Sequence, residues 1–180
     1  MDRVLFGNPV LLIINGVPGS GKTTLSEGVL KRIYAAYIDK DSINNGFTEE
    51  RESEFYQFVK RGTYKAIDNL ARINLELGNN VIIDATFARE VTQEGWMRRY
   101  EEMAEETGAV FRLIRCVAPE EVIKDRLEKR GYERDRWKVE DWGEFMKWEP
   151  IYVPIPEYGL ELDTLQTLDG CIQQALDYLR

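Results

Sequence analysis

One stretch near the N-terminus constrains the fold more than any other part of the sequence. Residues 10–15 (VLLIIN) form an apolar, β-branched run, which is typical of a strand buried on both faces. Residues 16–23 (GVPGSGKT) follow at once and fit the spacing G-x-x-x-x-G-K-[ST] of a phosphate-binding loop. Apolar residues at helical spacing come next, so the loop joins a predicted strand to a predicted helix. That context distinguishes a phosphate-binding loop from a chance match.

The residue types of this loop suit a polyphosphate. Several backbone N–H groups must converge on one anion, and glycines allow the tight turn that brings them together. The helix that begins near Lys22 adds unpaired N–H groups and a positive dipole end. Lys22 can reach the β- and γ-phosphates, and Thr23 can place its hydroxyl on Mg²⁺. The residues expected to bind the nucleotide are Gly16, Pro18, Gly19, Ser20, Gly21, Lys22, Thr23 and Thr24.

Strand and helix patterns alternate along the rest of the chain, which predicts an α/β fold. The pattern favours a three-layer sandwich of about five parallel strands with helices on both faces. A long helical pattern over 52–77 is predicted to break near Gly62 and to end at Gly78. The predicted strands are 10–15, 35–39, 81–84, 110–117 and 160–163.

Acidic residues stand where three of these strands end. Ligands of such sheets bind beyond the carboxyl ends of the strands, so acids there can meet the nucleotide. Asp84 is expected to accept a bond from Thr23 or from a magnesium-bound water, with a helix cap as the alternative. Asp41 is the first candidate for the base that orients an acceptor hydroxyl, and Asp39 is the second. Asp163 could lie farther from the cleft.

A basic set follows in the helical region over about 126–148. An arginine that closes over the nucleotide would stabilise the charge of the transferring phosphoryl group and expel water. Arg126 and Arg130 share one helix face and are the catalytic candidates; Arg89 could meet substrate or phosphate. The alternative is a solvated face paired with neighbouring acids. The set is Arg126, Arg130, Arg134, Arg136 and Lys138.

Composition narrows the class of protein. The 180 residues suit a single domain over 1–180, and the net charge of −8 argues against long nucleic acid as a steady partner. No apolar segment is long enough for a membrane span and the N-terminus has no signal-peptide pattern, so a cytoplasmic protein is expected. Cys116 and Cys171 are expected to be buried thiols. The chain has no histidine, so a general base must be a carboxylate, Lys, Tyr or Cys.

Taken together, the motifs resemble the small phosphate-loop kinases of the AAA_33 group. That group is similar to the 5′-kinase domain of phage polynucleotide kinase, chloramphenicol phosphotransferase and the zeta toxins. The resemblance covers roughly residues 10–148 and implies a P-loop NTPase fold. The segments that carry it are 16–24 (GVPGSGKTT), 39–41 (DKD), 81–86 (VIIDAT) and 126–130 (RLEKR).

The resemblance implies an ATP-dependent phosphotransferase that acts on a hydroxyl. It places Lys22 and Thr23 on ATP-Mg²⁺ and makes Asp41 the general base. It also places Asp84 near acceptor and metal. Arg126 and Arg130 would then lie in a mobile lid.

The nature of the acceptor stays open at this point. A small metabolite or antibiotic is the leading hypothesis, and a nucleic-acid 5′-hydroxyl is the second. Polynucleotide kinases carry an arginine three residues after the base, whereas this chain has Asn44. A regulatory ATPase is a further alternative, and the absence of an N-K-x-D segment argues against a GTPase. The sequence does not predict the oligomeric state.

Overall fold

A computed structural model describes residues 3–48, 54–87 and 90–180. These residues contain a sheet of five parallel strands in the order β2-β3-β1-β4-β5. The predicted fold class is therefore confirmed. The strands are β1 (Val10–Asn15), β2 (Ala35–Asp39), β3 (Asn80–Asp84), β4 (Val110–Val117) and β5 (Leu160–Asp163).

Helices connect the strands, as parallel pairing requires. Two short 3-10 turns, Glu90–Thr92 and Glu133–Asp135, precede α4 and α6. The helices are α1 (Lys22–Leu30), α2 (Lys40–Asn45), α3 (Glu54–Glu76), α4 (Glu94–Glu106), α5 (Glu120–Arg130), α6 (Arg136–Glu140), α7 (Trp142–Trp148) and α8 (Leu168–Leu179).

Strand β1 lies at the centre of the sheet, and all of its residues are buried. One of its faces packs against α3 and α4 through Ile67, Ala71 and Tyr100. The other face packs against α1 and α8 through Val29 and Ala175. Apolar side chains therefore pack on both faces of the strand from which the phosphate-binding loop starts.

A third apolar cluster joins the phosphate-binding loop to the basic helical region. Val17 of the loop packs with Ile123 and Leu127 of α5 and with Phe145 of α7. Ile151, which follows α7, belongs to the same cluster and is only 3% exposed. The base of the predicted lid is therefore packed directly on the loop.

The predicted break of the long helix at Gly62 is wrong. Helix α3 runs without interruption from Glu54 to Glu76. Glycine costs a helix interior only about 1 kcal/mol, and the buried residues on either side, Val59 and Ile67, hold the helix against the sheet. Gly78 does end this element, with a φ of +79°.

Two further expectations concern the cysteines and the presence of membrane-spanning segments. Both cysteines, Cys116 and Cys171, are free and buried, as predicted. In the described parts of the chain, no helix is long and apolar enough to cross a membrane.

Candidate active site

The phosphate-binding loop requires glycine at its turns. Gly16, Gly19 and Gly21 have φ angles of +143°, +85° and +93°, which residues other than glycine rarely adopt. A Cβ at Gly16 would also lie 2.6 Å from the carbonyl oxygen of Cys116. The loop is thus held against the end of β4, with its curvature fixed by close backbone contact.

Lys22 and Thr23 begin α1 directly after the loop. The N-cap residue is Gly21, which has no side chain to cap the helix, so the first N–H groups can serve an anion. Lys22 Nζ donates a hydrogen bond to the carbonyl oxygen of Val17 at 3.2 Å, which holds the ammonium group over the loop. Ser20 is fully buried within the loop.

A cavity of about 460 Å³ opens beside the loop, between α1, α5 and α8. Its wall contains Thr24 and Arg126, which the sequence singled out, and Thr164 and Gln166, which it did not. The lining residues are Gly19, Gly21, Lys22, Thr23, Thr24, Leu25, Arg126, Arg130, Thr164, Gln166, Leu168 and Cys171.

Arg126 ties three elements together at this cavity. Its guanidinium donates to the Thr164 hydroxyl and the Thr164 carbonyl, both at 2.9 Å. It also donates to the carbonyl oxygen of Gly19 at 3.2 Å. These bonds fix a cation next to the phosphate-binding loop and link the loop to the segment after β5.

Asp84 lies at the end of β3 and is only 2% exposed. Its carboxylate accepts hydrogen bonds from the Tyr37 hydroxyl at 2.9 Å and from Thr23. Burial raises the pKa of Asp84, while Lys22 and these two hydrogen bonds oppose the shift. The hydroxyl of Thr23 and the carboxylate of Asp84 are hard oxygen donors side by side, a set that fits Mg²⁺.

The two candidate bases have different surroundings. Asp39 caps α2, accepting from the backbone N–H groups of Asp41 at 3.0 Å and Ser42 at 3.2 Å. Asp41 lies on the first turn of that helix, and its side chain is 45% exposed. Its carboxylate is 3.6 Å from a guanidinium nitrogen of Arg134. The cap role of Asp39 favours Asp41 as the group that faces a substrate.

The basic set of the predicted lid divides around one buried acid. Asp135 is 1% exposed and accepts from Arg130 Nε at 2.6 Å and Lys138 Nζ at 2.7 Å. Arg136 instead pairs with Glu140 on the surface of α6, so the solvated-face alternative holds for this residue. The sequence indicates Asp135 only as one of several neighbouring acids that could pair with the basic set; its burial cannot be predicted, because an acid among charged neighbours resembles any surface acid.

A second polar group lies around Lys40, which adjoins Asp41. The Lys40 ammonium lies 5.5 Å from the centre of the Tyr64 ring, and the Tyr64 hydroxyl donates to Glu90 at 2.7 Å. Burial lowers the pKa of Lys40, although Asp41, Glu90 and Glu149 oppose that shift. Apart from Asp41, these partners could not be found from spacing, since Tyr64, Glu90 and Glu149 come from separate parts of the chain.

Asn44 and Arg89 are two further positions that the sequence analysis considered. Asn44 is fully buried, and its amide oxygen accepts a hydrogen bond from the Thr63 hydroxyl at 2.6 Å. Arg89 lies outside the described residues. The phosphate-binding loop follows β1, Asp84 ends β3 and Asp41 comes just after β2, and these three strands are neighbours in the sheet.

Comparisons with known proteins agree with this architecture. The sequence profile of the AAA_33 family, described as an AAA domain, matches residues 11–147. No curated protein sequence matches the chain significantly.

Solved structures with the same fold include three kinds of protein. A provisionally assigned kinase from Chloroflexus aurantiacus is 22% identical with a TM-score of 0.72, covering 96% of this chain and 100% of that one. A sugar kinase from Janibacter is 19% identical with a TM-score of 0.67, covering 96% and 94%. The APS kinase of Mycobacterium tuberculosis, bound to AMPPNP and APS, is 19% identical with a TM-score of 0.63, covering 99% of both chains.

Proposed function

Because the chain belongs to the AAA_33 family, we propose that it is an ATP-dependent kinase that phosphorylates a hydroxyl of a small molecule. One observation carries this proposal. The phosphate-binding loop follows β1, Asp84 is the last residue of β3, and Asp41 comes just after β2. These strands are neighbours in the sheet, and Asp84 stands in register with both Ile14 and Asp39. The phosphate-binding loop, the proposed metal-binding acid and the proposed base therefore lie at the carboxyl ends of neighbouring strands. We propose that residues 1–180 form one domain, with a lid over about 126–148.

The nucleotide would bind along the loop and into the cavity beside it. Backbone N–H groups of the loop and of the α1 terminus would hold the phosphates, and Lys22 would neutralise the β- and γ-phosphates. Thr23 and Asp84 would hold Mg²⁺, which neutralises charge that develops during transfer. The AMPPNP bound by the structurally similar APS kinase supports an adenine nucleotide as the donor.

Asp41 would act on the acceptor. Its carboxylate accepts the proton of the attacking hydroxyl while the new O–P bond forms and the bond from the γ-phosphorus to ADP breaks. The transition state of such transfers is loose, so positioning and charge neutralisation contribute more than basicity. Arg126, fixed beside Gly19, and Arg130, held by Asp135, would supply positive charge to the transferring group.

The surroundings of Asn44 support a small acceptor in preference to the end of a polynucleotide. The Asn44 side chain is buried and bonded to Thr63, so it does not replace an arginine that grips a substrate phosphate. The overall charge of −8 points the same way. A sugar kinase among the similar structures also supports a hydroxyl-bearing metabolite. A regulatory ATPase would not require Asp41.

A transfer screen tests the proposal. Purified protein is incubated with labelled ATP, Mg²⁺ and either hydroxyl-bearing metabolites, nucleosides or 5′-hydroxyl oligonucleotides. We expect label in a small molecule, and Lys22→Ala should lower ATP binding, turnover or both. Transfer to oligonucleotides alone, falling steeply with salt, would establish the polynucleotide alternative. ATP hydrolysis that no acceptor stimulates and that survives Asp41→Asn would favour the regulatory ATPase.

A further inference from the structure

Glu149 has no role in the proposed phosphoryl transfer. Glu149 follows α7, and its backbone N–H donates to the carbonyl oxygen of Phe145 at 2.8 Å. Phe145 before it and Ile151 after it are both buried in the apolar cluster that contains Val17 of the phosphate-binding loop. The backbone of Glu149 is therefore anchored on both sides.

The surroundings of Glu149 come from four different elements. Lys22 of α1, Lys40 of α2 and Lys138 of α6 all act on its charge, as does Glu90 of the 3-10 turn before α4. Burial is the largest influence and raises the pKa of Glu149, and the lysines oppose it. The Oε2 atom is buried, and within the described parts of the chain it has no hydrogen-bond partner.

An unpartnered buried carboxylate oxygen is costly to keep in a folded protein. The charges that act on it come both from the phosphate-donor side, where Lys22 lies, and from the base side, where Lys40 adjoins Asp41. The Lys40 ammonium interacts electrostatically with both Asp41 and Glu149. Such an oxygen is suited to a hydrogen-bond donor that arrives with the substrate.

The charges nearby restrict what that donor can be. A cationic group or a second metal ion at Glu149 would meet the positive charges of Lys22, Lys40 and Lys138. A neutral hydroxyl meets no such repulsion and offers the donor that Oε2 lacks.

We propose that Glu149 binds the acceptor by accepting a hydrogen bond from a hydroxyl other than the one that is phosphorylated. The preferred acceptors are therefore polyhydroxylated compounds. The inference rests on the proposed kinase function, and it adds a substrate class and a binding residue to it.

Matched pairs of acceptors test this inference. The pairs are D-gluconate with 6-hydroxyhexanoate, glycerol with 1-propanol, and adenosine with 2′,3′-dideoxyadenosine. The parent protein should use the polyhydroxylated member of at least one pair with a kcat/KM about tenfold or more above its partner. Glu149→Ala should remove most of this preference through a higher acceptor KM, with the KM for ATP unchanged. Glu149→Gln keeps an oxygen that accepts a hydrogen bond, so it should reduce the preference less.

Glu144→Gln is the control variant. Glu144→Gln changes a carboxylate of α7 that pairs with Lys147 on the surface, and it should keep the parent preference. An equal preference in Glu149→Ala and the parent, or no polyhydroxylated substrate at all, overturns the inference. Calorimetric titration with ATP-Mg²⁺ separates this result from failure of the kinase proposal, because nucleotide binding by the parent does not depend on the acceptor.

Discussion

The hydroxyl of Tyr37 donates a hydrogen bond to Asp84 at 2.9 Å, from the edge strand β2 to the neighbouring strand β3. Tyr37 stands in register with Ile82, so its long side chain reaches two residues toward the carboxyl end of the sheet. Burial and the nearby Asp84 charge raise the pKa of Tyr37 well above its usual range. The tyrosine therefore remains a neutral donor that orients the carboxylate beside Thr23.

Replacing this tyrosine should weaken the binding of metal. In Tyr37→Phe the Asp84 carboxylate loses a partner that fixes its orientation, and such partners contribute about 10-fold or more to metal affinity. We expect an approximately tenfold rise in the Mg²⁺ concentration for half-maximal rate, and weaker Mn²⁺ binding in the presence of ADP by electron paramagnetic resonance. Tyr34→Phe alters an exposed tyrosine and is the control. Identical metal dependence in both variants would leave Tyr37 without this role.

Replacing two helical glycines with alanine should change the free energy of unfolding in opposite directions. A Cβ on Gly28 of α1 would lie 2.5 Å from Cδ1 of Ile172 in α8, so the two helices must separate or repack. We expect Gly28→Ala to lower the free energy of unfolding by about 1 kcal/mol. At Gly62 of α3 no described atom lies within 4 Å of that position. Gly62→Ala should therefore raise the free energy of unfolding by about 0.5–1 kcal/mol. Urea unfolding of both variants measures the difference.

Asp135 should be essential for the order of the basic region. Removing its charge leaves Arg130 and Lys138 without their buried partner, and breaking such a group costs about 3 kcal/mol. We expect Asp135→Asn to lower the unfolding free energy by roughly this amount and to slow transfer. Asp125→Asn, which breaks an exposed pair with Lys129, should change stability by less than about 0.5 kcal/mol. Equal effects of the two changes would mean that Asp135 is an ordinary surface acid.

The stability effect of Glu149 should depend on pH. Its folded-state pKa is raised from the ordinary value of 4.5, so the folded chain binds more protons than the unfolded chain between these two values. Relative to Glu149→Gln, the parent should lose stability as pH rises through this window. The variant should thus have the higher melting temperature at pH 8, with a smaller difference at pH 4.5. A lower melting temperature for the variant at pH 8 would show that Glu149 stabilises the fold.

The fold could be predicted from the sequence because its signals are local. The five strands are short apolar runs that end in turn or acidic residues, and each was found within one residue of its observed bounds. The phosphate-binding loop was equally clear, since its function depends on consecutive residues. Gly62 was misread because a helix break is decided by packing on the sheet, which the sequence around a glycine does not reveal.

The details of the site depend on contacts between distant segments. Arg126 with Thr164 and Tyr37 with Asp84 are 38 and 47 residues apart. No periodicity links such pairs, because the order of strands in the sheet brings them together. Glu149 is a similar case, since what distinguishes it is a buried oxygen that lacks a hydrogen-bond partner among the described residues, and no motif marks it.

The central claim is that the loop holds ATP while Asp41 faces the incoming hydroxyl. The most direct measurement is the rate of phosphoryl transfer by Asp41→Asn, made alongside its affinity for ATP-Mg²⁺. We predict an affinity close to that of the parent and a transfer rate lower by about 100-fold or more. A collapse of nucleotide binding, or transfer at the parent rate, would contradict the account.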